Sequence, residues 1–243
     1  MISSVFHAVV YNPIYNGLVF FVGHLPTHDV GIAVVIVTVI VRAILFPLSR
    51  TAIKTQIKMK EIAPEVEEIK KKYKTSEEQG RATLALYKER GVRPFAGFFL
   101  TLIQLPILLG LYWVFARGGL PAINEAILYP FVHIPAAVNM EFLGLIDMSK
   151  PSILLGILAG IAQFFYTRLS MGPRGQLSAT EATLSSDMAK SFDLQARYML
   201  PAMVAVFGVF IASAAPLYWL AGNIFMICQE LFTGRRFNWQ KKA

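Results

Sequence analysis

Long runs of apolar residues alternate with shorter polar stretches along the chain, and these runs are its main structural signal. They occupy residues 30–48, 95–116, 151–170 and 198–233, the last block being divided at "SAAP", residues 213–216. A helix of about 17–22 residues covers roughly 26–33 Å, close to the roughly 30 Å hydrocarbon core of a bilayer. The pattern therefore predicts five membrane-spanning helices, of which the fourth and fifth are short.

The N-terminal stretch, residues 4–25, is apolar but is interrupted by Asn12, Pro13 and Asn16. Its longest uninterrupted run, "GLVFFVGHL", is too short to span a bilayer, and no basic region precedes it as in a signal peptide. We expect residues 1–29 to form an amphipathic helix that lies in the outer membrane interface. A sixth span or an uncleaved signal is the alternative.

Within residues 50–94, apolar residues recur with the spacing of amphipathic helices. A first helix has four apolar residues on one face: Ile62, Val66, Ile69 and Tyr73. Pro64 should kink or break this arm. Thr75 with Glu78 fits a capping box that begins a second helix, on which Leu84 and Tyr87 share a face. The segment is predicted to be a helical hairpin, and a solvated basic linker is the alternative.

Composition supports a polytopic membrane protein. The chain of 243 residues is 55% hydrophobic and only 16% charged, whereas soluble domains carry about 25% charged residues. Its formal net charge of +8 is uneven, since residues 1–41 contain no Lys or Arg and residues 50–93 contain many. Basic loops face the cytoplasm. We therefore place the hairpin 50–94, the loop 171–196 and the C-terminus in the cytoplasm, and 117–150 outside.

Motifs for covalent chemistry are absent from the sequence. There is no GxxxxGK[ST] loop, no HExxH and no GxSxG, and the single cysteine, Cys228, lies in an apolar run. His24 and His28 are four residues apart but have no acidic or cysteine partners nearby. We expect no enzyme activity, no cofactor and no metal site.

Arg42 is the unusual residue of the first span, "VVIVTVIVRAILFPLSR". An arginine near the centre of a membrane helix costs about 2.5–3.5 kcal/mol on insertion scales. One interpretation is a structural arginine bonded to carbonyls or side chains of neighbouring helices. The other is a wet cavity, open toward the cytoplasm, that attracts an acidic or polar polypeptide segment. Arg50, at the inner boundary, is interpreted as an ordinary anchor.

Polar residues of several spans could line such a cavity. Each one alone is more typical of an interhelical hydrogen bond, but their number beside an unpaired arginine favours a hydrated groove. They are Thr38, Ser49, Gln104, Gln163, Tyr166, Thr167, Asn223 and Gln229.

An ordered series of motifs resembles the YidC/Oxa/Alb family of membrane protein insertases. The matching stretches are "VIVRAILFPLSR", "IKMKEIAPEVEEIKKKYK", "LYKERGVRPFAGFFLTLIQLPILLGLYWV", "GLIDMSKPSILLGILAGI" and "PLYWLAGNIFMICQ". Together they cover roughly residues 5–235. One departure is that Thr167 stands where the family usually has Gln, with Gln163 one turn earlier, which puts a groove role of Gln163 in doubt.

The resemblance implies an all-α fold with a five-helix transmembrane core (residues 30–235), a hydrophilic groove, a cytoplasmic helical hairpin (50–94) and a short basic tail (236–243). It implies insertion of new transmembrane segments into the cell membrane without nucleotide hydrolysis. The substrate groove is expected to contain these residues: Arg42, Thr38, Gln104, Gln163, Tyr166, Trp219 and Asn223.

The partners implied by the resemblance are nascent membrane proteins and membrane lipid, with the ribosome, the signal recognition particle receptor and the Sec translocon as further contacts. No DNA partner is expected. A small-solute transporter or channel is the alternative function. It would usually require an acidic relay, a ligand pocket closed from lipid, and internal repeats.

Overall fold

The computed structural model describes residues 2–92, 96–116, 120–171 and 194–234, and these residues are mostly helical. Most of the predicted loop 171–196 and the whole tail 236–243 lie outside them. The helices are α1 Ile2–Phe6, α2 Asn12–His24, α3 Val30–Ile44, α4 Phe46–Glu61, α5 Ala63–Lys72, α6 Ser76–Glu89, α7 Ala96–Ala116, α8 Ile153–Met171, α9 Leu200–Phe210 and α10 Ala214–Phe232.

The chain divides into two compact units. The first comprises Met1–Ala43 and Pro106–Ala243, and the second comprises Ile44–Leu105. Within the described residues, Ser4–His24 and Ile153–Met171 are each long and apolar enough to cross a membrane. The pair Val30–Ile44 and Phe46–Met59 passes the same test together as one bent span. That five helices cross the bilayer remains a prediction.

Two π-helical turns, each shortly before a proline, keep the helices continuous. His7–Tyr11 joins α1 to α2, and the backbone N–H of Asn12 donates to the carbonyl of His7, five residues earlier. Gln195–Met199 leads into α9 in the same way. A proline ring clashes with the carbonyl four residues before it, and a wider turn relieves that clash. The interruptions predicted at Asn12, Pro13 and Asn16 therefore do not break the helix, and whether it lies in the interface or spans remains a prediction.

The first predicted span is shorter than its apolar run. The helix α3 ends at Ile44, the chain turns at Leu45, and α4 begins at Phe46. Pro47 explains the break, because it has no N–H to donate to the Ala43 carbonyl. The regular helix that carries Arg42 thus covers 15 residues.

The second unit contains the predicted helical hairpin, formed by α5 and α6. The chain breaks at Ile62, next to Pro64, as the sequence predicts. The Thr75 hydroxyl caps α6 by accepting from the Glu78 N–H. Arg90 and Glu65 form an ion pair of 2.9 Å between the two arms.

The predicted apolar face of α6, Leu84 with Tyr87, is buried only in part. Leu84 is 58% exposed, whereas Leu86 and Tyr87 are partly buried. The glutamine that precedes them, Gln79, donates from its Nε2 atom to the carbonyls of Lys70 and Tyr73. These bonds hold the start of α6 against the end of α5.

The first unit has its core where α2 packs against α3. The most deeply buried apolar residues of these two helices are Tyr15, Leu18, Val19, Val22, Val30, Ala33 and Val34. Elsewhere in this unit, small residues let α8 and α9 approach closely, since a Cβ on Gly208 would lie 2.8 Å from the Gly156 Cα atom. Close backbone contact of this kind is how helices associate in membranes.

Residues 120–152, the connecting segment, are held to the helices by buried polar side chains. Asn16 donates to the Ile127 carbonyl at 2.9 Å and accepts from the Tyr129 N–H. Ser213, in the turn before α10, donates to the Lys150 carbonyl at 2.6 Å. These side chains supply partners that backbone groups in this segment would otherwise lack.

Asp29 makes the central attachment of the connecting segment. It is 2% exposed, and its two carboxylate oxygens accept from Ile32, in the first turn of α3, and from Leu143. Leu143 lies in the turn of a two-stranded antiparallel hairpin, β1 Glu141–Phe142 and β2 Ile146–Asp147. One carboxylate therefore caps a helix and fixes a hairpin.

We expect Asp29→Ala to lower the free energy of unfolding by about 2–4 kcal/mol, because it removes a buried carboxylate that accepts from two backbone N–H groups. Asp147→Ala is the matched control: it removes a carboxylate from the same hairpin, but one that is partly exposed and pairs with a largely exposed lysine, Lys150. That change should cost less than about 1 kcal/mol. Denaturant titration of the detergent-solubilised protein measures both, and equal losses would contradict the role given to Asp29.

Candidate functional site

Arg42 lies near the end of α3 with its guanidinium against α10. It is 9% exposed. A Cβ atom built on Gly222 of α10 would lie 2.8 Å from Nη2, 3.2 Å from Nε and 3.4 Å from Cζ of Arg42. The absence of a side chain at residue 222 therefore provides the space in which the guanidinium packs.

No hydrogen bond or ion pair joins Arg42 to any residue that the structure describes. Its Nε atom is buried without a partner, and the ion pairs of Arg81, Arg90 and Lys150 do not include it. The buried carboxyl of Glu230 is on α10 as well, but eight residues after Gly222, or about 12 Å along the helix axis. Within the described residues, the hydrogen bonds that a structural role of Arg42 would require are not present.

A buried chain of polar side chains begins next to Gly222. Asn223 donates from Nδ2 to the Oε1 atom of Gln163 at 3.0 Å, and Gln163 donates from Nε2 to the Thr167 hydroxyl at 3.1 Å. All three residues are buried. The chain joins α10 to α8 and ends at Thr167.

Thr38 lies one helical turn before Arg42 and is turned toward its own helix. Its hydroxyl donates to the Val34 carbonyl at 2.6 Å, and 1% of the residue is exposed. A small, mostly apolar cavity adjoins it, with these lining residues: Ile14, Val34, Val37, Thr38, Val41, Ile107, Leu111 and Tyr218. The surroundings of Thr38 are therefore less polar than the sequence predicts for a groove.

The other predicted site residues are spread over the fold. Tyr166 is partly buried on α8, and Trp219 on α10 packs against the apolar core of the first unit. Gln104 belongs to the second unit. Among the described residues, no group of three or more His, Cys, Asp or Glu side chains could hold a metal ion.

Gly222 is the site residue that sequence reasoning does not find. Glycine is frequent in membrane helices, so its presence in "LAGNIF" gives no sign that an arginine packs on it. Only the packing of α3 on α10 reveals the contact. The buried Asp29 had a local signal, because an aspartate directly before an apolar run is a favoured helix cap.

Comparisons with known proteins give the chain a consistent set of relatives. Residues 21–241 match the family described as the 60Kd inner membrane protein. The membrane protein insertase YidC of Clostridium tetani is 31% identical over 209 residues, which are 86% of this chain and 83% of that protein. The membrane protein insertase MisCA of Bacillus subtilis is 31% identical over 217 residues, which are 87% and 73% of the two chains.

A solved structure agrees with these relatives. This chain is similar to a crystal structure of an active YidC insertase whose first transmembrane domain is resolved. The two chains superpose with a TM-score of 0.56 and share 27% sequence identity. The match covers 90% of this chain but 45% of that one, so this chain spans about half of the solved protein. Together with the apolar helices, these similarities show that the chain is a membrane protein.

We expect Gly222→Ala to displace the Arg42 guanidinium, although alanine stabilises an ordinary helix by about 1 kcal/mol relative to glycine. A double-mutant cycle with Arg42→Lys measures the effect, because the lysine side chain has no Nε atom or planar group at the crowded position. The free energies of unfolding should be non-additive by about 1–2 kcal/mol.

The matched control is Gly17→Ala on α2, whose Cβ would make an ordinary contact of 3.5 Å with Val37. This change should be neutral or slightly stabilising, and additive with Arg42→Lys. If Gly222→Ala were additive too, Gly222 would not position Arg42.

Proposed function

The chain belongs to the 60Kd inner membrane protein family, and we propose that it is a membrane protein insertase. It moves newly made transmembrane segments into the bilayer through a groove that contains Arg42, and it does so without nucleotide hydrolysis. The curated relatives at about 31% identity are named membrane protein insertases, which supports the general activity.

The observation that carries the mechanism is the buried Arg42 without a partner among the described residues. An unpaired charge in apolar surroundings is costly unless water or a counter-charge reaches it. A guest polypeptide with an acidic or polar flank supplies such a group for a short time. A fixed acidic partner within the chain would remove this requirement and would hold the arginine in one state.

The proposed groove extends from Arg42 along α10 and α8. Asn223, which follows Gly222 on α10, and Gln163 on α8 offer amide groups to a guest, with Tyr166 on α8 and Trp219 on α10 as further contacts. Thr38 and Gln104 complete the set expected from the family resemblance. Polar side chains at this depth replace part of the hydration that a hydrophilic tail loses when it leaves water.

Partition supplies the driving force. The guest's apolar segment gains about 0.8 kcal/mol for each CH₂ group that it buries in lipid. The helix α3 has 15 residues, and the apolar helix Gln195–Phe210 that includes α9 has 16, or about 22 and 24 Å, less than the roughly 30 Å hydrocarbon core. Short helices thin the bilayer locally, so the path of a hydrophilic tail across the membrane becomes shorter.

We place the protein in the cell membrane with its hairpin, residues 50–94, and its C-terminus in the cytoplasm. The basic residues of these segments support this orientation. Residues 1–29 then lie at the outer interface, and residues 30–235 form the five-helix core. The exposed hairpin is the surface on which a ribosome, a signal recognition particle receptor or a Sec translocon would bind, and the basic tail 236–243 could add contacts to RNA or anionic lipid.

A small-solute transporter is the weaker alternative. Such a protein needs a closed polar pocket or an acidic relay within the membrane. In the described part of the chain, the cavity beside Thr38 has mostly apolar walls, and no carboxylate pairs with Arg42. These features favour a polypeptide guest.

We expect Arg42→Ala and Arg42→Glu to lower the insertion of a single-span substrate with an acidic N-terminal tail into liposomes by about 10–100-fold. This range corresponds to the loss of one charged hydrogen-bonding interaction of about 1.5–3 kcal/mol. Arg42→Lys should keep most of the activity if charge matters more than guanidinium geometry. Protease protection of the inserted tail measures each variant.

Arg50→Ala is the matched control, because Arg50 is exposed and follows Arg42 by eight residues. Its insertion rate should equal that of the unmodified protein. Insertion that is unchanged by Arg42→Glu would refute the electrostatic mechanism, and a loss of activity with Arg50→Ala as large as with Arg42→Ala would refute the special role of the buried arginine.

A further inference from the structure

Four large apolar side chains of the connecting segment 120–152 point away from the protein. The exposed fractions are 64% for Phe131, 53% for Ile134, 62% for Leu143 and 83% for Leu145. Single exposed apolar residues are common on protein surfaces, but here four lie within 15 residues of one another. Apolar surface grouped in this way indicates contact with something other than water.

The connecting segment lies at the ends of the apolar helices. Leu143 donates its N–H to Asp29, which directly precedes α3. The Met148 carbonyl accepts from the N–H of Ala214, the first residue of α10. The segment then leads into α8 at Ile153. The first turns of α3, α8 and α10 therefore meet at this end, where membrane helices pass from hydrocarbon to headgroups.

The tip of the hairpin is held in a fixed conformation that exposes its leucines. Leu143 has φ of 53° and Gly144 has φ of 70°, and the Leu145 N–H donates to the Phe142 carbonyl at 3.0 Å. A positive φ suits glycine or asparagine and strains a leucine. An asparagine would make a better turn in water, so a leucine here indicates an environment that favours its apolar side chain.

The exposed apolar surface continues from the hairpin into a helix face. On α8, Ile153 is 66% exposed, Leu154 58% and Ile157 48%. In a membrane protein, such a face on a spanning helix contacts lipid. Leu145 precedes Ile153 by only eight residues, so the hairpin tip lies at the edge of this lipid-facing surface.

We propose that Leu143 and Leu145, with Phe131 and Ile134, insert into the boundary between headgroups and acyl chains of the leaflet at this end. The partner is the lipid surface itself. The charged pair of Asp147 and Lys150, 2.8 Å apart, directly follows the tip and lies among the headgroups. Hydrogen bonds from Lys150 and Ser149 hold the pKa of the Asp147 carboxyl at about 2, so the pair stays charged at neutral pH.

This anchor fixes the depth of Arg42. The hairpin is bonded to Asp29, and 13 residues of helix, or about 20 Å, separate Asp29 from Arg42. A tip held at the interface therefore sets how far below that interface the guanidinium lies. The inference stands on membrane residence alone and does not require the insertase activity.

The test uses the full chain in liposomes with Cys228, the single cysteine, replaced by serine. A polarity-sensitive NBD fluorophore is attached to the Leu145→Cys variant or to the control Glu125→Cys, an exposed position of the same segment. At residue 145 we expect blue-shifted emission and quenching by lipids that carry a spin label near the headgroup. At residue 125 we expect emission as in water and little quenching.

A second measurement avoids the fluorophore. In liposomes, a membrane-impermeant maleimide should react with the Leu145→Cys variant at least tenfold more slowly than with the Glu125→Cys variant, and in denaturing detergent the two rates should be equal. Equal rates in liposomes, or water-like emission at residue 145, would overturn the proposal. Protection of residue 145 that develops only when a substrate or partner protein is added would also overturn it, since the surface would then bind protein.

Discussion

The buried charge of Arg42 is the constraint on which the rest of the first unit depends. A guanidinium that has left water needs space, and Gly222 supplies it by having no side chain. The neighbouring amides do not serve as partners, because Asn223 donates to Gln163 and Gln163 donates to Thr167. Asn223, Gln163 and Thr167 are thus bonded to one another, and the Nε atom of the arginine has no hydrogen-bond partner.

Near the start of α3, in contrast, buried polar side chains do have hydrogen-bond partners. Asp29, Asn16 and Ser213 are as buried as Arg42, yet each has hydrogen-bonding partners in the connecting segment. The fold therefore satisfies polar groups where it needs rigidity. The structure is thus rigid at one end of α3 and has an unpartnered guanidinium near the other end. This combination suits a protein that keeps its shape while a guest polypeptide passes.

Much of this organisation can be predicted from the sequence, because apolar runs and helix caps are local signals. The helices at 96–116, 153–171 and 214–232, the break next to Pro64 and the cap at Thr75 follow from such signals. The end of α3 at Ile44 also had a local cause in Pro47, but the apolar residues that continue past it concealed the break. Leu84 is exposed although it shares the predicted face with the partly buried Tyr87, since periodicity alone does not show how far a partner helix covers that face.

The site itself depends on contacts between distant parts of the chain, and these leave no local signal. Arg42 stands out because it is a charge in an apolar run, but nothing in the sequence connects residue 42 with residue 222. The bond between Asn223 and Gln163 joins residues 60 apart, and a groove role for Gln163 was in doubt from the sequence. The sequence shows which residues are polar, whereas the packing of α3, α8 and α10 decides which of these residues contact one another.

The central claim is that the counter-charge of Arg42 comes from the guest. A charge exchange tests it directly: two single-span substrates that differ only in an aspartate-rich or a lysine-rich N-terminal tail are offered to the unmodified protein and to Arg42→Glu, in liposomes without a membrane potential. The account predicts that the unmodified protein inserts the aspartate-rich substrate faster and that Arg42→Glu reverses this preference. The same ratio of the two insertion rates for both proteins would contradict it.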